Sequence, residues 1–320
     1  MTSILTNTAA IAALSTLRSI ASDMETTQNH VSSGYRIETA SDNAAYWSIA
    51  TTMRSDNKAL GTVKDALGLG AAMTDTAYTA LQSSIKVVDE IKAKLTAASQ
   101  PGVDKEKVQK EITQLQDQLK SIAKSASFSG QNWVLEDPTT TPETKAIIGS
   151  FNRDATGNIS LTTLEYDTTK STLVSLDATG ANDTAGAGIL SKEWTNLTYV
   201  DETGNTQTNG ALADGVLGLT ITNTTTRDEM AQYLVATDQA LKEMTDAAAD
   251  VGSINSRIDL QSNFVQDLID SIDTGVGKLV DADMNEESTK LKALQTQQQL
   301  GIQALSIANN DSQNILTLFR

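Results

Sequence analysis

VGSINSRIDLQSNFVQDLIDSIDTGVGKL, residues 251–279, carries a coiled-coil repeat. Residues at alternating spacings of three and four are apolar at all but two positions: Val251, Ile254, Ile258, Gln261, Val265, Leu268, Ile272, Gly275 and Leu279. This spacing is the a/d seam of a helix that packs along a partner helix. The stretch is therefore predicted to be a long helix that needs another helix beside it.

The same repeat occurs in roughly the first 130 residues. Its runs are Ala77, Leu81, Ser84, Val88, Ile91, Leu95; then Val108, Ile112, Leu115, Leu119, Ile122, Ala126; and, near the start, Leu14, Leu17, Ala21, Met24, Gln28, Val31. Gln100-Pro101-Gly102 is a helix stop and turn between the first two runs, and Asp104 is a candidate N-cap for the next helix. Helical segments therefore occupy both ends of the chain.

The middle of the chain has a different pattern. Residues 146–151 and 159–164 are strand candidates around a turn, which predicts a β-hairpin. Residues 166–226 are rich in Thr, Gly, Asn and Asp, which indicates a small β-rich or irregular region. The predicted fold class is mainly α with a small β-rich insertion: a long antiparallel helical bundle or coiled coil made from both termini, a β-hairpin, and an outer β or irregular domain.

Glycines inside two of the predicted helices indicate a possible break in each helix. Gly61, Gly68 and Gly70 weaken the helix that starts near residue 44, so either a break or a packing contact is expected there. A break is also expected near Gly252 or Gly275. An ordinary helical bundle core would show the same seams. The pairing of both ends across an insertion favours assembly instead.

Composition excludes several classes of function. The chain has 320 residues, 24 Lys and Arg against 40 Asp and Glu, a net charge of −16, and no cysteine. The acidic balance argues against nucleic-acid binding, and the missing thiols exclude disulfides and thiol chemistry. No run of about 18 apolar residues predicts a membrane span. Residues 1–20 lack a positive n-region and Arg18 interrupts the apolar part, so no cleaved signal peptide is expected.

No catalytic or metal-binding constellation is visible. The only histidine, His30, lies in a helical context and is expected to be a solvated or packed helix residue. The acidic cluster Asp281, Asp283, Glu286 and Glu287 lacks the spacing and central Gly of a Ca²⁺ loop, so an acidic turn that caps a helix is expected. There is no GxGxxG and no GK[ST]. We expect no enzyme activity, no cofactor and no metal.

Motifs at both ends resemble those of bacterial flagellin. Val31-Ser32-Ser33-Gly34-Tyr35-Arg36-Ile37 with Ala40-Ser41-Asp42-Asn43-Ala44-Ala45 is similar to L-S-S-G-x-R-I-x-x-A-x-D-D-A-A, with Val31 for Leu and Asn43 for the second Asp. Phe128–Leu135 resembles F-N-G-x-x-V-L, Val251–Ile258 resembles L-G-A-x-x-N-R-L, Asp281-Ala282-Asp283 matches DAD, and Gln313–Arg320 resembles Q-N-V-L-S-L-L-R. The family signature residues are Ser33, Gly34, Arg36, Asp42, Arg257, Asp281, Asp283, Asn314 and Arg320. The short middle and Tyr46-Trp47 resemble α-proteobacterial flagellins.

The resemblance implies a division into three domains and a surface for polymerisation. Residues 1–40 and 281–320 would form an inner helical coiled coil, residues 41–165 and 228–280 a helical domain with the hairpin, and residues 166–227 an outer, surface-exposed insertion. The expected contacts between subunits in the inner domain are Ile4, Ile11, Leu14, Leu17, Leu300, Leu305, Leu316 and Phe319.

The resemblance also implies partners and a location. The expected partner is the chain itself in a helical polymer, with or without paralogous flagellins. Others are an export chaperone that docks on the C-terminal helix, the flagellar export apparatus, the filament cap and the hook–filament junction proteins. No nucleic acid or membrane is expected as a partner. The protein would be extracellular, in the flagellar filament, after export without a cleaved signal peptide.

One departure from the family pattern concerns immune recognition. Residues 85–91 align with the segment that the animal innate-immune flagellin receptor recognises. The family pattern has basic residues where this chain has Val87 and Asp89, whereas Glu90 is kept. Loss of complementary charge at a central contact weakens binding. The resemblance therefore predicts poor activation of that receptor.

Three other interpretations compete with a filament subunit. A hook–filament junction protein shares the terminal helices. Some flagellins carry an inserted protease domain, but the insertion here is short and the zinc-binding motif HExxH is absent. A soluble helical binding module that never polymerises is the third.

Overall fold

The computed structural model describes residues 7–136, 144–154, 156–176, 182–183 and 188–318, without the side chains of Asn209 and residues 311–318. Five helices dominate this part of the chain: α1 Thr8–Ser33, α2 Ala44–Ala98, α3 Lys105–Ser125, α4 Arg227–Val280 and α5 Met284–Leu318. The mainly α fold class is confirmed, with long helices at both ends and strands only between them.

The strands form four small two-stranded sheets. In chain order they are β1 Ser127–Phe128, β2 Gln131–Asn132, β3 Leu135–Glu136, β4 Thr144–Arg153, β5 Ile159–Asp167, β6 Val174–Ser175, β7 Trp194–Val200 and β8 Thr206–Leu212. The β1–β2, β4–β5 and β7–β8 pairs are antiparallel, whereas β3 and β6 are parallel. The hairpin predicted at residues 146–164 is the β4–β5 pair.

By contacts between residues, the chain divides into two compact units. Unit 1 contains Met1–Lys58 and Leu268–Arg320, and unit 2 contains Ala59–Asp267. The division into three domains that the sequence suggested, with boundaries near residues 40, 166, 228 and 281, stays a prediction.

In unit 1, α1 and α5 lie antiparallel. Near one end the Asn7 side-chain amide donates to the Ala308 carbonyl at 2.9 Å, and near the other the His30 Nδ1 lies 3.0 Å from a Glu287 oxygen. The least exposed side chains repeat at spacings of three and four on both helices: Ala10, Ala13, Leu17, Ile20, Met24, Thr27 and Val31 on α1, and Glu287, Leu291, Leu294, Gln298, Gly301, Leu305 and Ala308 on α5. This is a coiled-coil seam within one subunit.

The seam predicted for α1 was half wrong. Leu17, Met24 and Val31 belong to it, but Leu14, Ala21 and Gln28 are exposed, and positions 13, 20 and 27 are covered instead. Either set completes a repeat of three and four around the shared residues, so spacing alone does not choose between them. The observed set covers Ile20 rather than Ala21 but also Ala13 rather than Leu14, so the apolar area of α1 alone does not decide between the two sets.

In unit 2, α2 and α4 run antiparallel. Hydrogen bonds join Lys64 to Gln266 at 2.6 Å and Thr74 to Asn255 at 3.2 Å, and Lys92 pairs with Asp238. The predicted seam of α2 is confirmed, since all six of its members are buried: Ala77, Leu81, Ser84, Val88, Ile91 and Leu95. The break predicted near Gly252 or Gly275 is wrong, because α4 is continuous. A helical Gly costs only about 1 kcal/mol, which packing along a long helix exceeds.

Like α4, α2 has no break, and the predicted alternative, a packing contact, occurs at Gly70. A Cβ built at Gly70 would lie 2.6 Å from Cγ2 of Ile147, so the missing side chain lets β4 approach the helix. Gly68, close by on the same helix, has nothing within 4 Å of such a Cβ. Of these two glycines, Gly70 therefore makes the packing contact that the sequence gave as the alternative to a helix break.

These two glycines predict opposite effects of the same substitution. Gly70→Ala should lower the free energy of unfolding by about 1 to 3 kcal/mol, because the new methyl group overpacks against Ile147. Gly68→Ala should raise the free energy of unfolding by about 0.5 to 1 kcal/mol. The new methyl group meets open space in the folded protein, and Ala has less conformational freedom than Gly in the unfolded chain. Urea unfolding of the two monomers measures both. A stabilised Gly70→Ala variant would contradict the close approach of β4.

The middle region packs on α3 and α4. The buried amide of Gln116 on α3 donates to the carbonyls of Val216 at 2.9 Å and Leu219 at 3.0 Å, and Lys192 pairs with Glu243 on α4. Leu190, Leu197, Leu219 and Ile221 are fully buried. The Thr- and Gly-rich segment thus has a core of its own side chains and shares one compact unit with the helices.

Two hairpins close with the same five-residue turn. Asp154-Ala-Thr-Gly-Asn158 ends β4, and Asp201-Glu-Thr-Gly-Asn205 ends β7. In both, one carboxylate oxygen accepts from the Thr hydroxyl, the Thr amide and the Asn amide, and the Gly has a positive φ of 90° or 85°. The Thr156 and Thr203 hydroxyls are the largest causes that lower the pKa of Asp154 and Asp201 to about 2.

The turns should therefore loosen only in strong acid. The folded pKa is lowered below the ordinary 3.8, so the stabilisation is complete above about pH 4 and is lost as the pH falls from 3.8 through 2. An NMR titration of the carboxyl groups in the monomer should give midpoints near 2 for both residues. In Thr156→Val the Asp154 midpoint should rise while that of Asp201 stays. Midpoints near 3.8 in the unmodified chain would contradict the network.

Candidate assembly surfaces

The segment that follows α1 joins it to the end of α4 within unit 1. Gly34 ends α1 in the left-handed conformation, with φ of 77°, and its N–H donates to the His30 carbonyl. The Arg36 N–H then donates to the Val280 carbonyl at 2.7 Å, and the Ala282 N–H donates back to the Gly34 carbonyl at 2.9 Å. A glycine is suited to this position because only it adopts such a φ without strain.

Two signature carboxylates stabilise the turns around this junction. Asp42 accepts hydrogen bonds from the backbone N–H groups of Thr39 and Glu38 at 2.8 and 3.0 Å, and these bonds, Thr39 first, lower the pKa of its carboxyl group. Asp283 caps α5 by accepting from the N–H of Asn285 at 2.9 Å. The prediction of a capping acidic turn at residues 281–287 fits this geometry.

Other signature residues have different surroundings. The Ser33 hydroxyl donates to the Asn29 carbonyl, and Asp281 forms a bridge with Tyr35. The Arg257 side chain is exposed. The side chains of Asn314 and Arg320 lie outside the described residues. A small apolar cluster of Ile37, Ala50, Val276 and Val280 lies under the junction. The signature residues at 33–42 and at 281–283 therefore hold one turn of unit 1 together, a role that spacing alone did not reveal.

The α1–α5 pair also has apolar side chains that the pair does not cover. On α1, Ile11 is 60% and Leu14 41% exposed; on α5, Leu300 is 58%, Ile302 57% and Ile307 63% exposed. Three of these, Ile11, Leu14 and Leu300, were predicted as contacts between subunits, which stays a prediction, whereas Ile302 and Ile307 were not among the predicted residues. Leu17 and Leu305 lie in the seam within the subunit, and Ile4, Leu316 and Phe319 lie outside the residues whose side chains are described. Large apolar side chains left in water on a regular helix indicate a surface that another protein covers.

A polar cluster lies inside the same pair. Thr27 is completely buried, Glu287 is 9% exposed, and the chain's single histidine, His30, contacts Glu287. His30 is thus a packed helix residue, as expected. A buried polar contact of this kind fits only one register of two helices, because any shift leaves a buried carboxylate without its partner.

The segment aligned with the immune-receptor site is only partly exposed. Val87 is buried at 7% exposure, whereas Asp89 and Glu90 are exposed. Within the described ranges, no helix is both long and apolar enough to cross a bilayer. Likewise, no group of three or more His, Asp or Glu side chains in this part of the chain is placed to hold a metal ion.

Comparisons with known proteins show the family of this chain. A family model described as the bacterial flagellin N-terminal helical region matches residues 4–137, and one described as the bacterial flagellin C-terminal helical region matches residues 234–319. Flagellin C and Flagellin A of Rhizobium meliloti (strain 1021) are 54% and 50% identical to this chain, and each alignment covers 100% of both proteins. A crystal structure of Bacillus cereus flagellin is 22% identical, with a TM-score of 0.36, and covers 64% of this chain and 88% of that chain.

The two family models match the two helical ends that the coiled-coil repeat first marked, in the same order along the chain. The full-length relatives include the middle region as well. The chain therefore belongs to the bacterial flagellins, of the α-proteobacterial type, and is a structural subunit of the flagellar filament.

Proposed function

We propose that this flagellin polymerises through the outward apolar faces of α1 and α5. The observation that carries the proposal is the set Ile11, Leu14, Leu300 and Ile307, which are all more than 40% exposed although the same helices already share a seam. A coiled-coil pair with a second apolar stripe associates further, because association removes that stripe from water. Ile4, Leu316 and Phe319 would extend the surface towards both chain ends.

Electron microscopy of purified protein at high salt tests the proposal. High salt screens the repulsion between copies with a net charge of −16, so the full chain should grow long filaments. A chain that lacks residues 300–320 should stay soluble and form none. Short caps or rings from the full chain would favour a hook–filament junction protein, and identical behaviour of both chains would favour a helical module that never polymerises.

The finer parts of the function extend this proposal. The filament is extracellular, and the chain would reach it through the flagellar export apparatus without cleavage of a leader. An export chaperone would bind the exposed apolar face of α5 before assembly, and the cap and junction proteins would bind at the two filament ends. The middle region, residues 166–227, would face outward. The subunit would catalyse no reaction, in keeping with a structural family.

The surface of α2 supports weak activation of the innate-immune flagellin receptor. Asp89 and Glu90 present two exposed carboxylates where the family pattern has a basic residue beside an acidic one, and the buried Val87 offers no side chain to a partner. Repulsion of a receptor surface that is complementary to a cation should lower affinity. A reporter-cell assay should show a clearly weaker response than an enterobacterial flagellin of equal concentration gives, and Asp89→Arg should raise it. Equal responses would reject the idea.

A further inference from the structure

The α1–α5 seam repeats every seven residues, so its spacing alone does not fix one register. If one helix slides along the other by seven residues, about 10 Å, seam positions again meet seam positions. All but one of the α1 seam residues are apolar, so most of the seam would tolerate such a shift. The observed register therefore needs contacts that do not repeat along the seam.

A polar layer near the end of α1 is the first contact of this kind. Thr27 is fully buried, Glu287 is 9% exposed, and Glu287 Oε1 lies 3.0 Å from His30 Nδ1. The other Glu287 oxygen and the Thr27 hydroxyl are buried and have no hydrogen-bond partner in the part of the chain that the structure describes. Because His30 is the only histidine, the layer has no second copy elsewhere on the seam.

A shift by seven residues would destroy this layer. Glu287 would move from the level of His30 to the level of Asp23 or, in the other direction, past Ser33, where α1 ends. At the first position its carboxylate meets a like charge, and at the second it loses the helix that faces it. Both shifted registers are disfavoured, because separating a buried carboxylate from its partner is strongly unfavourable.

Gly301 provides a second contact that does not repeat. A Cβ built at Gly301 would lie 2.7 Å from Leu17 Cδ2, so Leu17 occupies space that the missing side chain leaves on α5. The α5 seam positions seven residues away are Leu294 and Ala308, which both have side chains. In a shifted register Leu17 would face one of these, and extra carbon atoms in a packed seam cause strain. The two contacts therefore select the same register.

The register decides which outward apolar residues of the two helices lie at the same height along the pair. Ile11 precedes Leu17 by six residues and Ile307 follows Gly301 by six, so these two exposed side chains are level in the antiparallel pair. A shift by seven residues would separate them by about 10 Å. Subunits of a symmetric polymer present the same surface at every position, so a mixture of registers would not assemble regularly.

We propose that the polar layer of Thr27, His30 and Glu287, together with the Leu17–Gly301 contact, positions α1 on α5 for assembly by excluding registers shifted by seven residues. The layer contributes selectivity rather than stability, because apolar residues in place of buried polar groups often pair as strongly or more strongly. A single polar residue in a coiled-coil seam specifies register in the same way. The inference rests on the proposed polymerisation through α1 and α5.

Disulfides that fix each register test whether the register matters for assembly, since the chain has no cysteine of its own. Ile20→Cys with Gln298→Cys joins seam positions that are level in the observed register. Pairing Ile20→Cys with Leu291→Cys or with Leu305→Cys joins positions that are level only after a shift. A disulfide needs Cα atoms within about 7 Å, which is less than the shift of about 10 Å. Diamide joins the thiols in the unfolded, dilute chain, so that each intramolecular disulfide forms before refolding.

The three oxidised chains are then mixed with an excess of unmodified chain. The chain linked at positions 20 and 298 should enter filaments, whereas the chains linked at 20 and 291 or at 20 and 305 should be incorporated about tenfold less or worse. After reduction all three should enter alike. Equal incorporation of a shifted chain, or exclusion of all three, would overturn the proposal, while filament growth of the unmodified chain would still support polymerisation.

A second experiment asks whether the polar layer sets the register. Thr27→Leu with His30→Leu and Glu287→Leu should need a protein concentration about tenfold higher for assembly, because shifted registers then compete. Adding the disulfide between positions 20 and 298 to this variant should restore the normal threshold, which a loss of folding would not allow. The matched control places leucines at exposed neighbours and should assemble like the unmodified chain: Thr26→Leu, Asn29→Leu and Glu286→Leu.

Two results of the second experiment would overturn the role of the layer. The first is an unchanged threshold in the variant with three leucines in the layer. The second is a raised threshold that the disulfide between positions 20 and 298 does not restore.

Discussion

Replacing Leu300 and Ile307 together by Asp should abolish filament growth while the monomer stays folded. The two side chains lie one repeat of seven apart on α5, both are more than half exposed, and neither belongs to the seam with α1. Burial of an aliphatic side chain stabilises by about 1.5 to 3 kcal/mol, and a carboxylate in the same place must also lose its hydration. The concentration needed for assembly should therefore rise by at least about a thousandfold, which corresponds to about 4 kcal/mol.

Sedimentation and electron microscopy measure this effect. The matched control is Gln295→Asp with Ser306→Asp, which adds the same two charges to exposed positions on the same helix that lie off the face of Leu300 and Ile307. The control should still form filaments at high salt, and both double variants should have the circular dichroism of the unmodified monomer. If Leu300→Asp with Ile307→Asp forms filaments at the normal concentration, the outward face of α5 is not part of the assembly surface.

The second large effect is expected in the fold rather than in assembly. Gln116→Leu should lower the free energy of unfolding by about 2 to 4 kcal/mol. The substitution takes the amide donor away from the buried carbonyls of Val216 and Leu219, and a buried acceptor without a partner costs about 1 to 3 kcal/mol. Leu219 keeps only a longer bond from Gln109, at 3.4 Å. Thermal and urea unfolding of the monomer measure the loss.

Gln118→Leu is the control for this experiment, because its side chain is exposed on the same helix. It should change the free energy of unfolding by less than about 0.5 kcal/mol. Gln116→Asn should also be less stable than the unmodified chain, because the shorter amide does not reach both carbonyls. If Gln116→Leu proves as stable as the unmodified chain, the two hydrogen bonds do not hold the middle region to α3.

Local chemistry explains which helix boundaries the sequence predicted well. Pro101 and Gly102 separate α2 from α3 as predicted; Gly34 also ends α1, and Asp228 and Glu229 lie in the first turn of α4. At that start, Thr226 and Glu229 form a reciprocal cap, in which the Glu229 side chain accepts from the Thr226 N–H at 2.6 Å. Each signal involves residues within one turn of the boundary, so it can be read without knowing the rest of the fold.

Features that depend on residues far apart in the chain could not be predicted from the sequence. The choice of positions 13, 20 and 27 for the α1 seam depends on α5, and the role of Gly70 depends on Ile147, which is far along the chain. The hydrogen bonds from Gln116 to Val216 and Leu219 join segments about 100 residues apart. The resemblance implied that the terminal helices pair and that Ile11, Leu14 and Leu300 contact other subunits, and the latter stays a prediction; the sequence did not show that these three point away from the seam within the subunit.

The register of α1 against α5 has a consequence for the quality of the chains that enter a filament. Asn7 meets Ala308, so α1 finds its partner in a helix that lies about 300 residues further along the chain. A chain that stops between α4 and α5 contains all the residues of unit 2, yet α1 then has no α5 to pair with. We therefore expect the helix pair to act as a test of completeness, because a subunit without α5 cannot form the α1–α5 pair through which we propose that the subunits polymerise.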